Sequence, residues 1–570
     1  MSLPPVPSYD ADPAAVRDCA AVLLAASAQV DDLGSFAAGS AQVAGWTGLA
    51  ADAYHAASRP TGRRGDAVSL ALRHVARRVD AHADALESLR VRRDVLLDER
   101  ARLAAELADV PTATATGATA AVRRFAADVA GWSADLAAEE AGMRAVLTRF
   151  DRLDGALRRF GDAADPADAA LSRLPGHGAP PGVVKAWWDG LDAAQRRAVV
   201  AAAPGAVGNL DGIPARWRDA ANRVALDRDL AAWELLADLG RLGDDEARWL
   251  VNARAAHEAV ATAQAGVDPV TLQPVPAQLH LYDPRAFDGD GAVAVAVGDL
   301  DVADDVAVVV PGLGSDAGSA PYQAARAVTL YESCRVLDAS ATPAVLAWVG
   351  YDAPDNVPWD GGPDAGWDGA GVVREDHAAR GGERLADAVD GLRAGRDGEP
   401  AHVTVVGHSY GSTTAGHAAH DHGLPVDDLV LVGSPGAGGD TDHAADTGLD
   451  PSHVWAVANS RDAVADLANH GAFHLESLAG GGLGDDPAED DFGARRVRAE
   501  STDRAALPGL ADHARYFDHD TEALRNISLV VTGDHDAVTL AGPVTDPWWG
   551  PPHDPEWHRP PEAPDTDGRP

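Results

Sequence analysis

The pentapeptide Gly-His-Ser-Tyr-Gly at residues 407–411 is the segment of this 570-residue chain best suited to chemistry. An apolar, β-branched run over 402–406 precedes it and small residues over 412–419 follow it, which predicts a strand, a sharp turn and a helix. A serine in such an elbow projects its hydroxyl out of the sheet, and the flanking glycines permit the strained turn. We therefore predict Ser409 as a nucleophile, with the N–H of Tyr410 facing the oxyanion. The alternative is a glycine-rich turn with a bystander serine.

A serine hydroxyl needs a base that takes its proton and a third group that orients this base. Where the serine occupies an elbow of this kind, the acid follows it along the chain and the histidine comes last. Asp462 lies just beyond an apolar run over 454–458 that we predict as a strand, so we predict Asp462 as the acid. Asp466, one helical turn further on, is the alternative, and a helix N-cap is the structural role open to Asp462.

The base should follow one more strand, which we predict over 494–500. His513 comes in the loop after that strand, and we predict it as the general base. Three other histidines compete for this role. His470 and His474 precede the last strand, and His519 is expected inside the following helix, so chain order favours His513.

A second oxyanion donor should come from the loop after the third strand. Residues 310–315, Val-Pro-Gly-Leu-Gly-Ser, follow a buried apolar run and hold two glycines that allow close backbone approach. We predict the N–H of Leu313 as this donor, with Gly314 as the alternative. A simple turn is the structural interpretation of this loop.

The segment 349–367 follows the fourth predicted strand and is rich in Trp, Gly and Pro. It should lie at the carboxyl ends of the strands, where sheets of this type bind ligands. We therefore expect Tyr351 and Asp352, together with Gly312 and Gly314, to line a substrate pocket. An ordinary long surface loop is the alternative.

The elements that must position these residues form a β-α-β rhythm from residue 278 onward. An antiparallel pair opens it, and the later strands alternate with helices, which predicts a mostly parallel sheet with right-handed crossovers. The predicted strands cover residues 279–282, 292–297, 306–310, 344–349, 403–406, 429–432, 454–458 and 494–500.

Residues 185–533 resemble an actinobacterial α/β-hydrolase family long catalogued as a domain of unknown function. The matching segments are 209–223 (Asn-Leu-Asp-Gly-Ile-Pro-Ala-Arg-Trp-Arg-Asp-Ala-Ala-Asn-Arg), 310–312, 348–354 (Trp-Val-Gly-Tyr-Asp-Ala-Pro), 407–412 and 513–517 (His-Ala-Arg-Tyr-Phe). The resemblance implies the α/β-hydrolase fold and a Ser-His-Asp site, which the order of the residues already places on Ser409, His513 and Asp462. It does not identify a substrate.

The N-terminal region is predicted to be helical. Apolar residues keep a three-four spacing over 68–107 and again over 122–160, which predicts an all-α domain over 1–160 with a helical hairpin and a long antiparallel coiled coil.

Trp46-Thr47-Gly48 lies in a predicted turn between two helices, and this arrangement resembles the WXG helical-hairpin proteins of type VII secretion systems. The resemblance implies a small WXG-type helical partner. The Tyr-x-x-x-Asp/Glu export signal of that family is missing, because Ser58 stands at the required distance after Tyr54.

The remaining boundaries follow from composition. Gly, Pro, Asp and Ala dominate 161–184, which we predict as a linker. A helical collar over 185–275 precedes the catalytic domain over 276–538, and a Pro-rich flexible tail covers 539–570.

The net charge of −41 argues against nucleic acid and anionic membranes as partners. Cys19 and Cys334 form no disulfide framework or metal pattern. Without a signal peptide or an apolar span, we expect a cytoplasmic protein with no transmembrane segment. Acidic runs at 304–305, 440–443 and 534–536 are interpreted as solvated loops, so we predict no metal and no cofactor.

These residues together predict a serine hydrolase that cleaves an ester, lipid or related acyl bond in a small-molecule substrate through an acyl-enzyme. Two alternatives stay open. The hydrolase scaffold could be catalytically idle and serve binding or assembly, or the chain could be an effector linked to type VII secretion.

Overall fold

The computed structural model describes residues 3–9, 11–35, 49–108, 115–162, 170–171, 173–176, 178–238, 240–354, 375–465, 483–502, 510–519, 521–545 and 553–562. The chain divides into two compact units. The first comprises residues 1–158 and 234–241, and the second comprises residues 159–233 and 242–570.

The first unit contains helices α1 (Pro13–Ser35), α2 (Leu49–Ala108) and α3 (Ala115–Asp162) up to residue 158. Helix α2 packs on α3 through a seam of buried residues, Leu89, Leu96, Leu103, Phe125, Val129 and Trp132. The indole N–H of Trp132 donates to the carbonyl of Leu89 at 2.8 Å, and His82 of α2 lies 2.9 Å from Glu139 of α3. Residue numbers therefore rise along α2 as they fall along α3, so the two helices are antiparallel.

Helix α1 packs on α2 as well. The hydroxyls of Ser27 and Ser69 lie 3.1 Å apart in a buried contact, and Arg17 pairs with Asp84 at 2.7 Å. The predicted helical region is therefore confirmed, whereas the coiled-coil interpretation stays a prediction. The Trp46-Thr47-Gly48 turn lies outside the described residues.

The second unit begins with a helical layer. Its helices are α4 (Pro181–Asp189), α5 (Ala193–Ala202), α6 (Pro204–Gly208), α7 (Ala215–Asp238, of which residues 215–233 belong to this unit) and α8 (Asp244–Gln264). Trp188 is fully buried among Val184, Val199, Val207 and Ile213, so this layer has an apolar core of its own.

The segment 209–223 attaches this layer to the edge of the sheet. The side chain of Asn209 donates to the carbonyl of Tyr282 at 2.8 Å and accepts from its N–H at 3.1 Å. Asp219 accepts from the N–H of Leu279 at 2.7 Å. These side chains satisfy backbone groups that an edge strand would otherwise leave unpaired.

The sheet has eight strands: β1 (Ala277–Asp283), β2 (Ala292–Val297), β3 (Asp305–Val310), β4 (Pro343–Val349), β5 (His402–His408), β6 (Asp428–Val432), β7 (Val454–Val457) and β8 (Arg495–Val497). Their order is β1-β2-β4-β3-β5-β6-β7-β8. The β1–β2 and β2–β4 pairs are antiparallel and all later pairs are parallel. The predicted α/β-hydrolase sheet is thus confirmed. The observed strand ends agree with the predicted ends to within two residues, except that β8 ends earlier than expected.

The sheet is covered by α9 (Ala320–Leu337), α10 (Asp376–Gly395), α11 (Tyr410–His422), the short α12 (Leu510–His513) and α13 (Glu522–Val531). The strands read as continuous apolar runs because both of their faces are buried. The carboxyl ends of β3, β5, β7 and β8 lie at one edge of the sheet, and the candidate catalytic residues follow these strands.

The described part of the tail contacts the rest of the second unit, and the predicted flexibility of the tail stays a prediction. Arg496 pairs with Asp554 at 2.8 Å, Arg498 pairs with Glu562 at 2.9 Å, and Arg559 pairs with Glu522. These arginines are scattered along the sequence. Their ion pairs with the tail therefore give no periodic pattern from which the contacts could be predicted. The Trp548-Trp549 pair lies outside the described residues.

Across the described helices, none is long and apolar enough to cross a membrane.

Candidate active site

Ser409 occupies the sharp turn between β5 and α11. Its backbone has φ 57° and ψ −134°, a left-handed conformation that a non-glycine residue adopts only when its surroundings enforce it. Its N–H donates to the carbonyl of Val432 at 2.8 Å, and its carbonyl accepts from the N–H of Ser412 at 2.8 Å. The turn is therefore held from both sides, and the strain is the kind that a nucleophile elbow stores.

The two glycines of the motif are required by close packing. A Cβ on Gly407 would lie 2.7 Å from the carbonyl oxygen of Gly411, and a Cβ on Gly411 would lie 2.3 Å from the carbonyl oxygen of Val310. Both distances are shorter than a van der Waals contact allows. Helix α11 therefore begins tight against β3 and β5, which explains the spacing of the motif.

The loop after β3 lies directly against the elbow. A Cβ on Gly312 would lie 2.6 Å from the Cβ of Ser409 and 2.9 Å from the backbone nitrogen of Tyr410. The N–H of Gly314 already donates to the carbonyl of Pro354 at 2.8 Å. For the N–H of Leu313, no acceptor is found among the described residues. This arrangement favours Leu313 over Gly314 as an oxyanion donor.

Two of the residues expected to line a pocket have other contacts. Tyr351 is fully buried and its hydroxyl donates to the carbonyl of Pro311 at 2.7 Å. Tyr351 therefore supports the loop after β3. Asp352 is half-buried, and its carboxylate lies 3.2 Å from Nδ1 of His377. Residues 355–374, which include most of the Trp-rich segment, lie outside the described residues.

Asp462 follows β7 and its side chain is completely buried. One carboxylate oxygen, Oδ1, accepts from the N–H groups of Val464 and Ala465 at 2.8 and 3.4 Å. The other, Oδ2, lies 2.8 Å from Nδ1 of His513. Asp462 thus makes the bonds of a turn cap and contacts the histidine at the same time. The alternative acid, Asp466, lies outside the described residues.

His513 is the last residue of α12 rather than a loop residue, and its side chain is 13% exposed. His519, expected inside a helix, instead precedes α13; its side chain is 64% exposed and lies 3.9 Å from Glu332. His470 and His474 are outside the described residues. Among the described candidate histidines, the structure brings His513 to Asp462.

A third group completes the surroundings of Asp462. The hydroxyl of Tyr516 donates to Oδ2 of Asp462 at 2.6 Å and accepts from the N–H of Asn459 at 3.0 Å. Burial, and then the negative charge of Asp462, raise the pKa of Tyr516 well above its ordinary value. The phenol therefore stays protonated and remains a donor to the carboxylate.

His408, the neighbour of Ser409, holds His513 from the other side. The two rings stack with centroids 4.8 Å apart, and Nε2 of His408 lies 3.0 Å from the carbonyl oxygen of His513. Since a carbonyl only accepts, Nε2 carries the proton. Burial, and then the nearby Arg326, lower the pKa of His408 well below its ordinary value, so the ring stays neutral. Arg326 in turn donates to the carbonyl of Ala514 at 2.9 Å.

Gly433, directly after β6, leaves room for the pair. Its φ is 53°, and a Cβ there would lie 2.8 Å from Oδ2 of Asp462 and 3.1 Å from Nδ1 of His513. Only a glycine fits, both for backbone conformation and for space.

The sequence predicts no roles for Tyr516, His408, Arg326 or Gly433. Tyr516 does lie within the recognisable segment 513–517, and His408 is one of the two variable positions of the G-x-S-x-G pentapeptide. Their contacts around His513 and Asp462, however, depend on how separate strands and helices meet and have no local signature.

Comparison with known proteins gives a family match over the sheet region. Residues 283–472 match the family described as "Alpha/beta hydrolase". This range includes Ser409 and Asp462.

The relatives of this chain include mycobacterial proteins. The uncharacterized protein Rv2079 of Mycobacterium tuberculosis is 33% identical over 430 residues, which cover 70% of this chain and 63% of the relative. The chain thus spans less than two thirds of that protein. The uncharacterized protein Mb0988c of Mycobacterium bovis is 35% identical over 201 residues, 34% of this chain and 68% of its own length.

Among solved structures, the esterase LipW from Mycobacterium marinum aligns with 55% of this chain and 95% of its own, with 14% identity and a TM-score of 0.24.

Proposed function

Because the chain belongs to the α/β-hydrolase family, we propose that it is a serine hydrolase in which Ser409, His513 and Asp462 form the catalytic triad. The observation that carries the proposal is the 2.8 Å contact between Nδ1 of His513 and the buried carboxylate of Asp462. A carboxylate on Nδ1 fixes the tautomer in which Nε2 can accept a proton. His408, which stacks on His513, is the residue that precedes Ser409.

In the first half of the reaction, Nε2 of His513 takes the proton of Ser409 as Oγ attacks the carbonyl carbon of an acyl substrate. Asp462 stabilises the imidazolium that forms. Collapse of the tetrahedral intermediate breaks the bond to the leaving group, which receives the proton from His513. The acyl group then remains on Ser409 as an ester.

In the second half, His513 takes a proton from water, and the hydroxide oxygen attacks the acyl carbon. The acid is released and Ser409 recovers its proton. In both halves the N–H groups of Tyr410 and Leu313 stabilise the oxyanion; the loss of one such donor typically costs about 100–1,000-fold in kcat. Gly312 supports this role, since its backbone approaches Ser409 more closely than a side chain would allow.

The proposed substrate class is a small ester, lipid or related acyl compound. Gly312 and Gly314 add no side chains to the loop beside Ser409, and the hydroxyl of Tyr351 donates to the carbonyl of Pro311 in the same loop. A small WXG-type partner for the N-terminal helices stays a proposal that rests on the sequence resemblance alone.

The test is active-site labelling of the purified full chain with a fluorescent fluorophosphonate, together with hydrolysis of short p-nitrophenyl esters. We expect the wild type to be labelled and active, and Ser409→Ala and His513→Ala to lose both properties. Ser340→Ala is the matched control, because Ser340 lies in an exposed turn before β4 and should be labelled like the wild type.

Labelling that survives Ser409→Ala would mean that another residue is the nucleophile. A folded wild type that is neither labelled nor active would instead favour an idle scaffold with a binding role.

A further inference from the structure

A second cluster of polar side chains lies at the opposite end of the sheet from Ser409. His402 and Asp428 are the first residues of β5 and β6, and His535 follows α13. His402 and Ser409 are seven positions apart, which in a strand corresponds to roughly 20 Å. The cluster is therefore separate from the candidate active site.

Its centre is the carboxylate of Asp428, which is completely buried. Oδ2 lies 2.8 Å from Nε2 of His402 and 3.1 Å from Nε2 of His535. Oδ1 accepts from the indole N–H of Trp455 at 2.7 Å and lies 3.0 Å from Nδ1 of His453. A buried carboxylate is costly unless it is compensated, and here several nitrogen atoms surround it.

The tautomer of His402 is fixed by its other nitrogen. Nδ1 lies 3.1 Å from the carbonyl oxygen of Val531 and 3.6 Å from Oδ1 of Asp305. Both partners are acceptors, so Nδ1 carries a proton, and in the neutral ring Nε2 presents its lone pair to Asp428. Metal-binding histidines are oriented in this way, with the second nitrogen bonded to a carbonyl or carboxylate.

His535 also faces the carboxylate of Asp428. Its Nε2 is buried and makes no hydrogen bond among the described residues, although it faces Oδ2 of Asp428. The lone pair on Nε2 of His402 and one carboxylate oxygen thus point into the same small volume, and Nε2 of His535 faces that volume as well. A proton or a cation must lie between them for the arrangement to be stable.

We propose that His402, Asp428 and His535 bind a first-row divalent metal ion of the zinc class. The three ligand atoms lie within 4.8 Å of one another. In a tetrahedral zinc site, with bonds of about 2.0–2.1 Å, ligand atoms are separated by about 3.3 Å. The two separations from Oδ2, 2.8 and 3.1 Å, are a few tenths of an ångström shorter than this value. Two imidazoles with one carboxylate favour zinc over magnesium or calcium, which prefer oxygen ligands.

The fourth position would be taken by water or by His453, whose side chain is 42% exposed and faces the other oxygen of Asp428. The ion would be structural, because it would join the amino ends of two central strands to the turn after α13. Residues 534–536, interpreted from the sequence as a solvated acidic loop, would then supply one of its ligands.

The competing arrangement is a metal-free ion-pair cluster in which His402 carries the proton. Burial lowers the pKa of His402, but its contacts with Asp305 and Asp428 outweigh burial and raise the pKa to about 10. The experiment must therefore measure metal content directly rather than stability alone.

The untagged full chain is stripped with EDTA, dialysed against buffered Zn²⁺, and its zinc content is measured by mass spectrometry. We expect one zinc per chain in the wild type. In His535→Ala the affinity should fall by more than the roughly 10–100-fold that a change outside the ligand shell costs. His519→Ala, which removes an exposed histidine elsewhere, should bind zinc like the wild type.

Replacement of zinc by Co²⁺ gives a second readout, since a tetrahedral N/O site has characteristic visible absorption that His535→Ala should lose while its far-ultraviolet circular dichroism stays unchanged. A wild type that retains no zinc, or a folded His535→Ala that binds zinc as tightly as the wild type, would overturn the proposal.

Discussion

The phenol of Tyr516 donates to the same carboxylate oxygen of Asp462 that contacts His513, at 2.6 Å. A buried carboxylate keeps its charge only when donors compensate for lost water. Tyr516 therefore stabilises the ionised acid that the proposed mechanism needs, although it does not touch the substrate.

Removal of this donor should weaken both catalysis and stability. For Tyr516→Phe we expect kcat to fall about tenfold, equivalent to about 1.4 kcal/mol, with KM little changed. The free energy of unfolding should fall by about 1–3 kcal/mol, because the carboxylate loses a hydrogen bond. Ester hydrolysis and urea unfolding measure the two effects.

The matched control is Tyr282→Phe. Tyr282 is also buried and donates to a carboxylate, that of Asp229, at 3.2 Å, but it lies on β1, away from His513. It should lose stability and keep its kcat. If both variants lost activity equally, Tyr516 would have only a structural role.

His408 should position the base without titrating. Because burial and Arg326 keep its pKa low, we expect the ring to be neutral at the neutral pH of the ester assay. In His408→Gln we expect kcat to fall by about 10–100-fold, since small misplacements of a catalytic group are costly.

The plot of kcat/KM against pH should keep its shape in this variant, with a lower plateau. A shifted acidic limb in His408→Gln would contradict a positioning role and would mean that His408 itself exchanges protons during the reaction.

The candidate triad could be predicted because its signals are local or depend on chain order. The 407–411 turn requires glycines, and these are directly visible in the sequence. Asp462 and His513 follow Ser409 in the chain order that this type of elbow imposes. The contacts around them could not be predicted. Tyr516 and Gly433 meet Asp462 only because β6, β7 and the segment after β8 converge, and no pattern within one element encodes that meeting.

The cluster around Asp428 could not be predicted from the sequence either. His402 and His535 are 133 positions apart, and each looks like a surface histidine in its own segment. The parallel register that pairs Thr404 with Asp428 brings the amino ends of β5 and β6 together, and the end of α13 adds His535.

Gly433 allows a direct test of the space around the candidate triad. In Gly433→Ala the new methyl group would meet Asp462 and His513 at 2.8 and 3.1 Å. We expect activity to fall at least about 100-fold, the cost that a shift of about 1 Å can have. Steady-state ester hydrolysis and fluorophosphonate labelling would measure it.

Gly423→Ala separates this clash from backbone strain. Gly423 also has a positive φ, 63°, but a Cβ there meets nothing within 4 Å. It should lose about 1 kcal/mol of stability and keep its activity. Full activity in Gly433→Ala would mean that Asp462 and His513 can shift without consequence.

Away from the active site, Asp268 should govern acid stability. It pairs with Arg335 at 2.7 Å, with both side chains 9% exposed, and it accepts from Tyr331 at 3.0 Å. Burial raises the pKa of Asp268, but the hydrogen bonds from Arg335 and its other donors outweigh burial and lower it. Because the folded pKa lies below the unfolded value of about 3.9, this stabilisation is present above about pH 4 and is lost as the pH falls further.

We therefore expect Asp268→Asn to lower the free energy of unfolding by about 3 kcal/mol at neutral pH, since Arg335 loses its buried counter-charge. The difference from the wild type should shrink below about pH 4, where the wild-type carboxylate takes up a proton. Asp245→Asn is the control, because Asp245 pairs with Arg248 at a similar 2.6 Å with both side chains about 60% exposed. An exposed pair contributes at most about 1 kcal/mol, so this variant should change little at any pH. Urea unfolding of the three proteins across the acidic range measures these differences, and a gap between wild type and Asp268→Asn that stays constant with pH would contradict the assignment.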